Sequence, residues 1–182
     1  MSDDDPRVPA SLGRFVERVG LYFEEFGLPR IAGRLFGLLL VADEPLSLEQ
    51  AATMLHVSRA SVSTNARLVV RSGLVERVSL PGDRRDYYVF GDRSWEAFIE
   101  TDMKAAVTLR EFADDALAGL GPAEAPAKAR LEAVAGFFDF YNAELTAILE
   151  HWRARAAGQQ ARQAPPNGRR GRSTQPATRV DR

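Results

Sequence analysis

The sequence predicts a mainly α-helical fold with one small β-hairpin. Apolar residues recur at spacings of three and four over most of the chain, which is typical of amphipathic helices. Two short segments, residues 74–78 and 87–90, instead have the β-branched and aromatic character of strands. The 182 residues are 45% hydrophobic and 27% charged, which is enough apolar material for a buried core.

Two apolar helices are predicted at the start of the chain. Residues 12–26 carry an aromatic and aliphatic stripe that Gly27 ends. The next helix begins at Pro29, which is tolerated in a first turn, and continues to residue 41 with a leucine-rich face. Both helices are expected to contribute to a core.

Capping signals predict a helix-turn-helix after these two helices. Ser47 and Gln50 form a capping box in front of a short helix, residues 48–55. Ser58 can cap the next helix, residues 59–72, after a connection of only three residues. Two helices joined by such a short turn are typical of this motif.

A β-hairpin is predicted directly after the helix-turn-helix. Gly73 can adopt the left-handed conformation that ends the preceding helix. The two strands flank residues 80–85, which are rich in turn residues and include a basic tip. A hairpin in this position is a wing, so we place a winged helix-turn-helix lobe at residues 29–91.

The remaining helices predict a helical dimerisation region at residues 11–28 and 92–157. Helical periodicity returns at Trp95 and continues to residue 120. In the last helix, apolar residues recur every seven positions with a second set between them, which is typical of a seam that faces a partner helix. The expected dimer contacts are Leu12, Val19, Leu131, Phe138, Tyr141, Leu145, Ile148 and Trp152. Packing within one chain is the alternative.

The two ends of the chain are predicted to be disordered. Residues 1–10 are acidic, and residues 158–182 contain six arginines and one aspartate without any aromatic residue or leucine. The basic tail either adds phosphate contacts or only solubilises the protein. The longest apolar stretch, residues 35–42, is too short to span a bilayer, so we expect a soluble cytoplasmic protein without a membrane partner.

Composition argues against an enzyme. The chain has no cysteine and only two histidines, which excludes thiol chemistry and leaves a histidine-based metal site without ligands at the required spacing. The serines at helix starts are explained by capping, so no nucleophile has a partner base. We expect no catalytic residue, cofactor or metal.

One face of the second motif helix has the chemistry of a duplex-DNA contact. Although the net charge of the chain is −1, residues 56–90 carry +3. A helical wheel places Val62, Ala66, Val69 and Val70 inward, and it leaves small, hydroxylated and cationic residues outward. Hydroxyls let phosphate approach, and arginine can bind guanine edges in the major groove. The candidates are Ser58, Arg59, Ser61, Ser63, Thr64, Arg67 and Arg71. The alternative is an ordinary solvated face.

The hairpin tip adds two cations. Arg84 and Arg85 can reach the narrow minor groove, whose negative potential attracts arginine. Asp83 would repel phosphate, so we expect it to hold Arg85 or the turn amides in place, with Asp86 as a second orienting carboxylate. A solvated turn with compensating charges is the alternative.

Several segments in order resemble the MarR family of winged-helix repressors. They are residues 33–39, 58–67 (with Val62-Ser63-Thr64-Asn65-Ala66-Arg67), 73–77 and Gly82-Asp83-Arg84-Arg85. The likeness spans residues 12–155 and is nearest to the GbsR-like branch and to mycobacterial regulators of lipid and drug efflux pumps. It implies a homodimer on a near-palindromic operator, joined through its first and last helices and released by a small ligand.

The resemblance also implies roles for individual residues. It assigns Ser61, Ser63 and Thr64 to the major groove and Arg85 to the minor groove. Many members have arginine where this chain has Thr64, so base readout here falls to Arg67 or is weaker.

A hydrophobic or aromatic effector is the ligand class that the sequence favours once the resemblance is considered. The aromatic residues concentrate outside the wing, where they could line a cleft. The candidates are Phe15, Tyr22, Phe36, Trp95, Phe98 and Phe112. Core packing is the alternative for these rings.

A competing function is a winged helix that binds protein rather than DNA. Such a module would expose apolar residues on its outer helix face. The sequence instead has Thr64, Arg67 and Arg71 there. We therefore expect double-stranded DNA as the partner.

Overall fold

The computed structural model describes residues 10–163 and, within them, the side chains of residues 11–158. It divides the chain into two compact units, Met1–Leu149 and Glu150–Arg182. The elements, in chain order, are α1 (Ala10–Glu25), α2 (Arg30–Val41), β1 (Leu46–Ser47), α3 (Leu48–Leu55), α4 (Arg59–Arg71), β2 (Glu76–Ser79), β3 (Asp86–Val89), α5 (Ser94–Ala118), a short 3₁₀ turn (Pro122–Glu124) and α6 (Ala125–Gln163). The mainly helical winged helix-turn-helix fold is confirmed.

The helix starts within the motif follow the capping residues of the sequence. Ser47 Oγ accepts a hydrogen bond from the Gln50 amide at 3.3 Å, and the Gln50 side chain accepts one from the Ser47 amide at 2.8 Å. Ser58 Oγ accepts from the Ser61 amide at 3.2 Å and caps α4. Both capping predictions are confirmed.

Gly73 ends the motif for two physical reasons. Its φ of 77° lies in the left-handed region that glycine tolerates. A Cβ atom at this position would also lie 2.5 Å from the Ala97 carbonyl oxygen, so the chain approaches α5 too closely for any side chain. The local prediction is therefore confirmed, and the contact with α5 adds a non-local reason.

The sheet has three antiparallel strands in the order β1-β3-β2, and sequence reasoning missed β1. Leu46 pairs with Tyr88, and Ser47 pairs with Tyr87. The first wing strand begins at Glu76 rather than residue 74, because the Val75 amide donates to the Val69 carbonyl at 3.3 Å and its side chain is buried.

The core lies between α2, α3, α4 and the sheet. Its most deeply buried side chains include Leu35, Leu38, Leu55, Val62 and Val69.

The predicted inward face of α4 needs one correction. Val70 is only half-buried, and Asn65 is buried in its place. Asn65 can occupy this position because its Nδ2 donates to the Ser61 carbonyl oxygen at 2.8 Å.

Helix α1 packs against α2 and shares the core of the winged lobe. Val16 and Phe23 belong to the same buried cluster as the α2 leucines. The two helices approach so closely that a Cβ atom on Gly33 would lie 2.6 Å from the Val19 carbonyl oxygen. Glu17 pairs with Arg34 at 2.7 Å across this contact. The predicted boundary at residues 28 and 29 is therefore not a break in packing.

Polar contacts join α5 to α6 within the first unit. The Tyr141 hydroxyl donates to Asp102, and Arg110 Nε donates to Asp139 at 2.6 Å. Helix α6 continues to Gln163, past the predicted start of the tail at residue 158, because residues 159–163 are glutamine, alanine and arginine, which favour helix. The predicted disorder of residues 1–9 and 164–182 lies outside the described residues. No helix in the described range is both long and apolar enough to cross a bilayer.

Candidate nucleic-acid interface

The outward face of α4 combines hydroxyls with cations, as the helical wheel predicts. Thr64, Arg67 and Arg71 are exposed, and Ser61 and Ser63 lie half-buried beside them. Arg67 Nη2 donates to Thr64 Oγ1 at 3.4 Å, a long and weak contact that leaves the guanidinium available. This face therefore presents short polar side chains and two cations to solvent.

The start of α4 offers free backbone donors beside a cap. Ser58 Oγ is used as an acceptor by the helix, but its own proton remains available to donate. Together with the unpaired amides and positive dipole of a helix start, this arrangement favours an anion.

Arg59, the first residue of α4, is paired with an acid. It forms an exposed ion pair with Glu49 of α3. Backbone hydrogen bonding at Glu49, followed by the bond from Arg59, lowers the pKa of the Glu49 carboxyl, so this partner is charged at neutral pH. Sequence reasoning missed Glu49, which lies ten residues away on another helix.

A tight turn shapes the wing tip. The Asp83 amide donates to the Leu80 carbonyl oxygen at 3.1 Å, which closes a four-residue turn. Pro81 and Gly82 occupy its central positions, and the φ of 81° at Gly82 is the value that a type II turn requires there. The turn places Asp83 at the base of the tip.

Three side chains at this tip form a hydrogen-bonded group that we call the wing triad: Asp83, Arg85 and Tyr87. Asp83 Oδ2 accepts from Arg85 Nη2 at 2.6 Å and from the Tyr87 hydroxyl at 2.7 Å. Asp83 Oδ1 accepts from the Arg85 amide at 2.9 Å. Arg85 Nη2 also donates to the Tyr87 hydroxyl oxygen at 2.7 Å.

The electrostatics of the wing triad keep it intact at neutral pH. The side-chain and backbone hydrogen bonds from Arg85 hold the pKa of Asp83 well below its usual range, and the bond from Tyr87 adds to this effect. The Asp83 hydrogen bond raises the pKa of Tyr87, which therefore stays protonated as a donor. The predicted orienting role of Asp83 agrees with this geometry.

Two parts of the wing differ from the sequence expectation. Asp86 does not orient Arg85, because its carboxylate pairs with Arg77 of β2 at 3.3 Å. Tyr87 was not singled out by sequence, although it follows Arg85 by two residues, the spacing at which extended backbone places side chains on one face. Arg84 is exposed at the tip.

Comparisons with known proteins agree with this architecture. Residues 26–86 match the sequence model of the MarR family, and residues 93–155 match a model described as MmpR5-like MarR family transcriptional regulator. The HTH-type transcriptional regulator MmpR5 of Mycobacterium tuberculosis (strain ATCC 25618 / H37Rv) is 42% identical over 118 residues, which cover 64% of this chain and 72% of that protein. The chain belongs to the MarR family of transcriptional regulators.

Two further similarities support membership of the MarR family. The putative HTH-type transcriptional regulator YvaV of Bacillus subtilis (strain 168) is 26% identical over 85 residues, or 47% of this chain and 48% of that protein. A solved structure described as the crystal structure of a transcriptional regulator is 34% identical, with a TM-score of 0.74, and covers 79% of this chain and 99% of that one. The GbsR-like branch stays a prediction.

The aromatic residues predicted to bind an effector do not form a single cleft in this MarR protein. Phe15 and Tyr22 line a groove of about 600 Å³ along α1, together with Arg14 and Arg18. Phe36 is buried in the core, where its ring contacts the rings of Phe23, Phe90 and Trp95 at centroid distances of 5.9, 6.0 and 6.2 Å. The structure therefore assigns Phe36 to packing, because aromatic neighbours already occupy its surroundings. Trp95, Phe98 and Phe112 are exposed on α5.

The predicted dimer seam of this MarR protein is partly covered by its own chain. Leu12, Val19, Leu131, Phe138 and Leu145 are half-buried. Tyr141 is also half-buried, and its hydroxyl donates to Asp102 in the same chain. Ile148 in the first unit and Trp152 in the second unit are exposed. Packing within the chain thus accounts for part of the predicted seam, and the dimer contacts stay a prediction.

Proposed function

We propose that this MarR-family chain is a homodimeric repressor that binds double-stranded DNA at a near-palindromic operator. Helix α4 would enter the major groove, and the wing would place Arg85 in the adjacent minor groove. The observation that carries the proposal is the wing triad, because three hydrogen-bonded side chains hold an exposed arginine in one orientation at the end of a hairpin. Preorganised arginines are suited to reading a narrow groove.

The distribution of exposed apolar side chains supports a dimer through the helical region. Among the large apolar residues that are exposed in the described part of the chain, Leu80 is the only one between residues 29 and 91. The others lie on α1, on α5, on α6 and at Phe26 and Leu28 between α1 and α2. Isolated exposed apolar residues are ordinary, but a concentration of them outside one lobe is typical of an interface. A second copy of the chain would cover this surface.

An effector groove on α1 would link ligand binding to DNA release. The Phe15 and Tyr22 rings lie beside two cations, Arg14 and Arg18, so the groove suits an apolar ligand that carries an anionic group. Such a ligand releases DNA only if it binds better to a dimer whose two α4 helices are wrongly spaced for successive major grooves.

Two measurements test the DNA-binding proposal. The first is selection from a random 30-base-pair duplex pool, followed by fluorescence anisotropy with the recovered sequence and a scrambled duplex. We expect an inverted repeat among the recovered sequences and preferential binding at physiological salt. Replacement of Arg67 or Arg85 by alanine should weaken specific binding by about 10- to 100-fold. Equal binding of the two duplexes by the wild type would contradict the proposal.

The rival function, a protein-docking winged helix, makes a different prediction for the same variants. If α4 and the wing bind protein, Arg67→Ala and Arg85→Ala would leave duplex binding unchanged at every salt concentration. The exposed face of α4 presents Thr64, Arg67 and Arg71 rather than apolar residues, which favours DNA over protein.

Sedimentation equilibrium tests the oligomeric state. A chain that stays monomeric at micromolar concentration would contradict the dimer. A dimer that binds small aromatic acids equally well with and without the recovered duplex would contradict the effector part of the proposal only.

A further inference from the structure

An open niche of about 250 Å³ lies between α4 and the wing. Arg67, Val70 and Arg71 of α4 form one side, and Arg77 of β2 and Tyr88 of β3 form the other. We call these five residues the arginine niche. Neither Arg77 nor Tyr88 belongs to the set that the sequence predicts to contact DNA, and the proposed function uses neither.

Cations in the arginine niche outnumber the carboxylates that could neutralise them. Arg67 and Arg71 are four residues apart on one helix face, a spacing at which like charges repel. Within the described residues, neither forms an ion pair. Arg77 has one partner, Asp86 at 3.3 Å, and both side chains are about half exposed, so this pair is weak. Of the three guanidinium groups in the niche, therefore, only that of Arg77 has a carboxylate partner among the described residues.

Tyr88 supplies a neutral hydrogen-bond donor to the same space. The residue is 8% exposed and lines the niche. Burial, followed by the charge of Asp86, raises the pKa of Tyr88, whereas Arg77 and Arg67 act in the opposite direction. The hydroxyl is thus protonated at neutral pH, and the arginines lie close enough to influence it. A group that accepts several hydrogen bonds and carries negative charge matches these surroundings.

We propose that the arginine niche binds one phosphodiester group of the DNA backbone. The inference rests on the proposed function, since it deepens the same DNA-binding surface. A strand that passes from the major groove at α4 to the minor groove at the wing must cross the space between the two elements. The niche occupies that space, and guanidinium groups bind phosphate oxygens in pairs. Arg77 is then a DNA contact on β2.

The salt dependence of binding tests the role of Arg77. We would compare Arg77→Gln with a charge-matched control, Lys128→Gln, which removes one exposed cation from α6. A full phosphate contact contributes about 0.9 to the slope of log K against log salt, and Arg77→Gln should lower the slope by part of this amount because Asp86 already neutralises some of the Arg77 charge. At 0.1 M salt the corresponding loss of affinity is at most about eightfold, since one decade of salt separates this condition from the 1 M reference. The loss should be equal for recovered and scrambled duplexes, because phosphate carries no sequence information.

Neutral DNA linkages locate the contact. A methylphosphonate linkage would be placed at each position of the recovered duplex in turn, and anisotropy would give the affinity of wild type and Arg77→Gln. We expect one linkage per half-site to weaken wild-type binding more than it weakens Arg77→Gln, because the variant has already lost one of the niche contacts to that phosphate. Equal penalties for both proteins at every linkage would overturn the proposal.

The remaining outcomes separate the niche from the proposed function. If the wild type prefers its recovered duplex while Arg77→Gln behaves like Lys128→Gln, the niche does not bind phosphate and the proposed function stands. If the wild type binds no duplex at low salt, both are wrong. If Arg77→Gln loses affinity for inorganic phosphate in calorimetry but keeps its DNA affinity and salt slope, the niche holds a small anion and the proposal is overturned.

Discussion

Two carboxylates of the wing, three residues apart, should affect DNA binding in opposite directions. Asp83 holds Arg85 and Tyr87 in the wing triad, whereas Asp86 pairs with Arg77. Replacing either by asparagine removes one negative charge from the DNA-facing surface and changes the volume of the side chain little. If only net charge mattered, both variants would bind DNA more tightly by a similar factor. The structure predicts otherwise.

The expected magnitudes follow from what each carboxylate holds. In Asp83→Asn, the new amide nitrogen cannot accept the bonds that Asp83 Oδ2 receives at 2.6 and 2.7 Å. Arg85 then regains its rotamer freedom, and ordering it on binding costs about two- to tenfold in affinity. In Asp86→Asn, Arg77 loses the carboxylate that competes with phosphate for its guanidinium. The gain in DNA affinity is limited to about eightfold, which is the effect of one phosphate contact at 0.1 M salt.

The comparison is made by anisotropy with recovered and scrambled duplexes at several salt concentrations. We expect Asp83→Asn to bind the recovered duplex between about two- and eightyfold more weakly than Asp86→Asn, from the two magnitudes combined. Asp83→Asn should also lose discrimination between the duplexes, whereas Asp86→Asn should bind both more tightly. Tyr87→Phe changes no charge and keeps the contact between Asp83 and Arg85, so its loss should be smaller. Indistinguishable affinities of the two asparagine variants would refute the reasoning.

Three further outcomes are expected. The pKa of Asp83 lies below its ordinary value of 3.8, so the wing triad is complete above pH 3.8 and weakens only as the pH falls through the lowered pKa of Asp83. The pKa of Tyr87 is raised, so its hydroxyl stays protonated through neutral pH. The ratio of wild-type to Tyr87→Phe affinity should therefore be constant between about pH 5.5 and 9, and a steady fall of that ratio with acidity would argue against the assignment. Leu38→Ala removes a side chain that is 0% exposed and should lower the free energy of unfolding by about 3 kcal/mol in urea titrations, against less than about 0.5 kcal/mol for Leu80→Ala at the wing tip. Ile148→Glu places a charge at an exposed position of the predicted seam, so we expect the dimer dissociation constant in sedimentation equilibrium to rise at least about tenfold, whereas an unchanged constant would place the interface elsewhere.

Local sequence signals were sufficient to predict the helix-turn-helix. The capping box of Ser47 and Gln50, the Ser58 cap and the left-handed Gly73 each depend on neighbours within a few residues, and each is found as predicted. The orientation of α4 also follows from local periodicity, with the exchange of Val70 and Asn65 as the exception. A buried asparagine is tolerated there because its side-chain amide donates to the carbonyl of the preceding turn. Hydrophobic periodicity treats asparagine as polar and therefore predicts that it is exposed.

Features that depend on distant residues could not be predicted in the same way. Strand β1 has two residues and exists because Leu46 and Ser47 pair with β3 some forty residues later. The partner of Arg59 is on another helix, and the niche depends on how β2 packs beside α4. The effector-binding role of Phe36 could not be judged from sequence for the same reason. Its helical spacing does not distinguish a ring packed among three other rings from a ring that faces a cleft.

The arginines of the proposed interface differ in how firmly the fold holds them, and this difference assigns them different effects on binding. Arg59 and Arg85 are held by carboxylates, whereas Arg67, Arg71 and Arg84 form no ion pair within the described residues. An arginine that already neutralises an acid gains less from phosphate but keeps its orientation, so it favours sequence discrimination. An unpaired arginine releases counterions in full. Arg84→Gln should therefore lower the salt slope by about 0.9 for any duplex, whereas Arg59→Gln should lower it by less because Glu49 already neutralises Arg59 in the free protein.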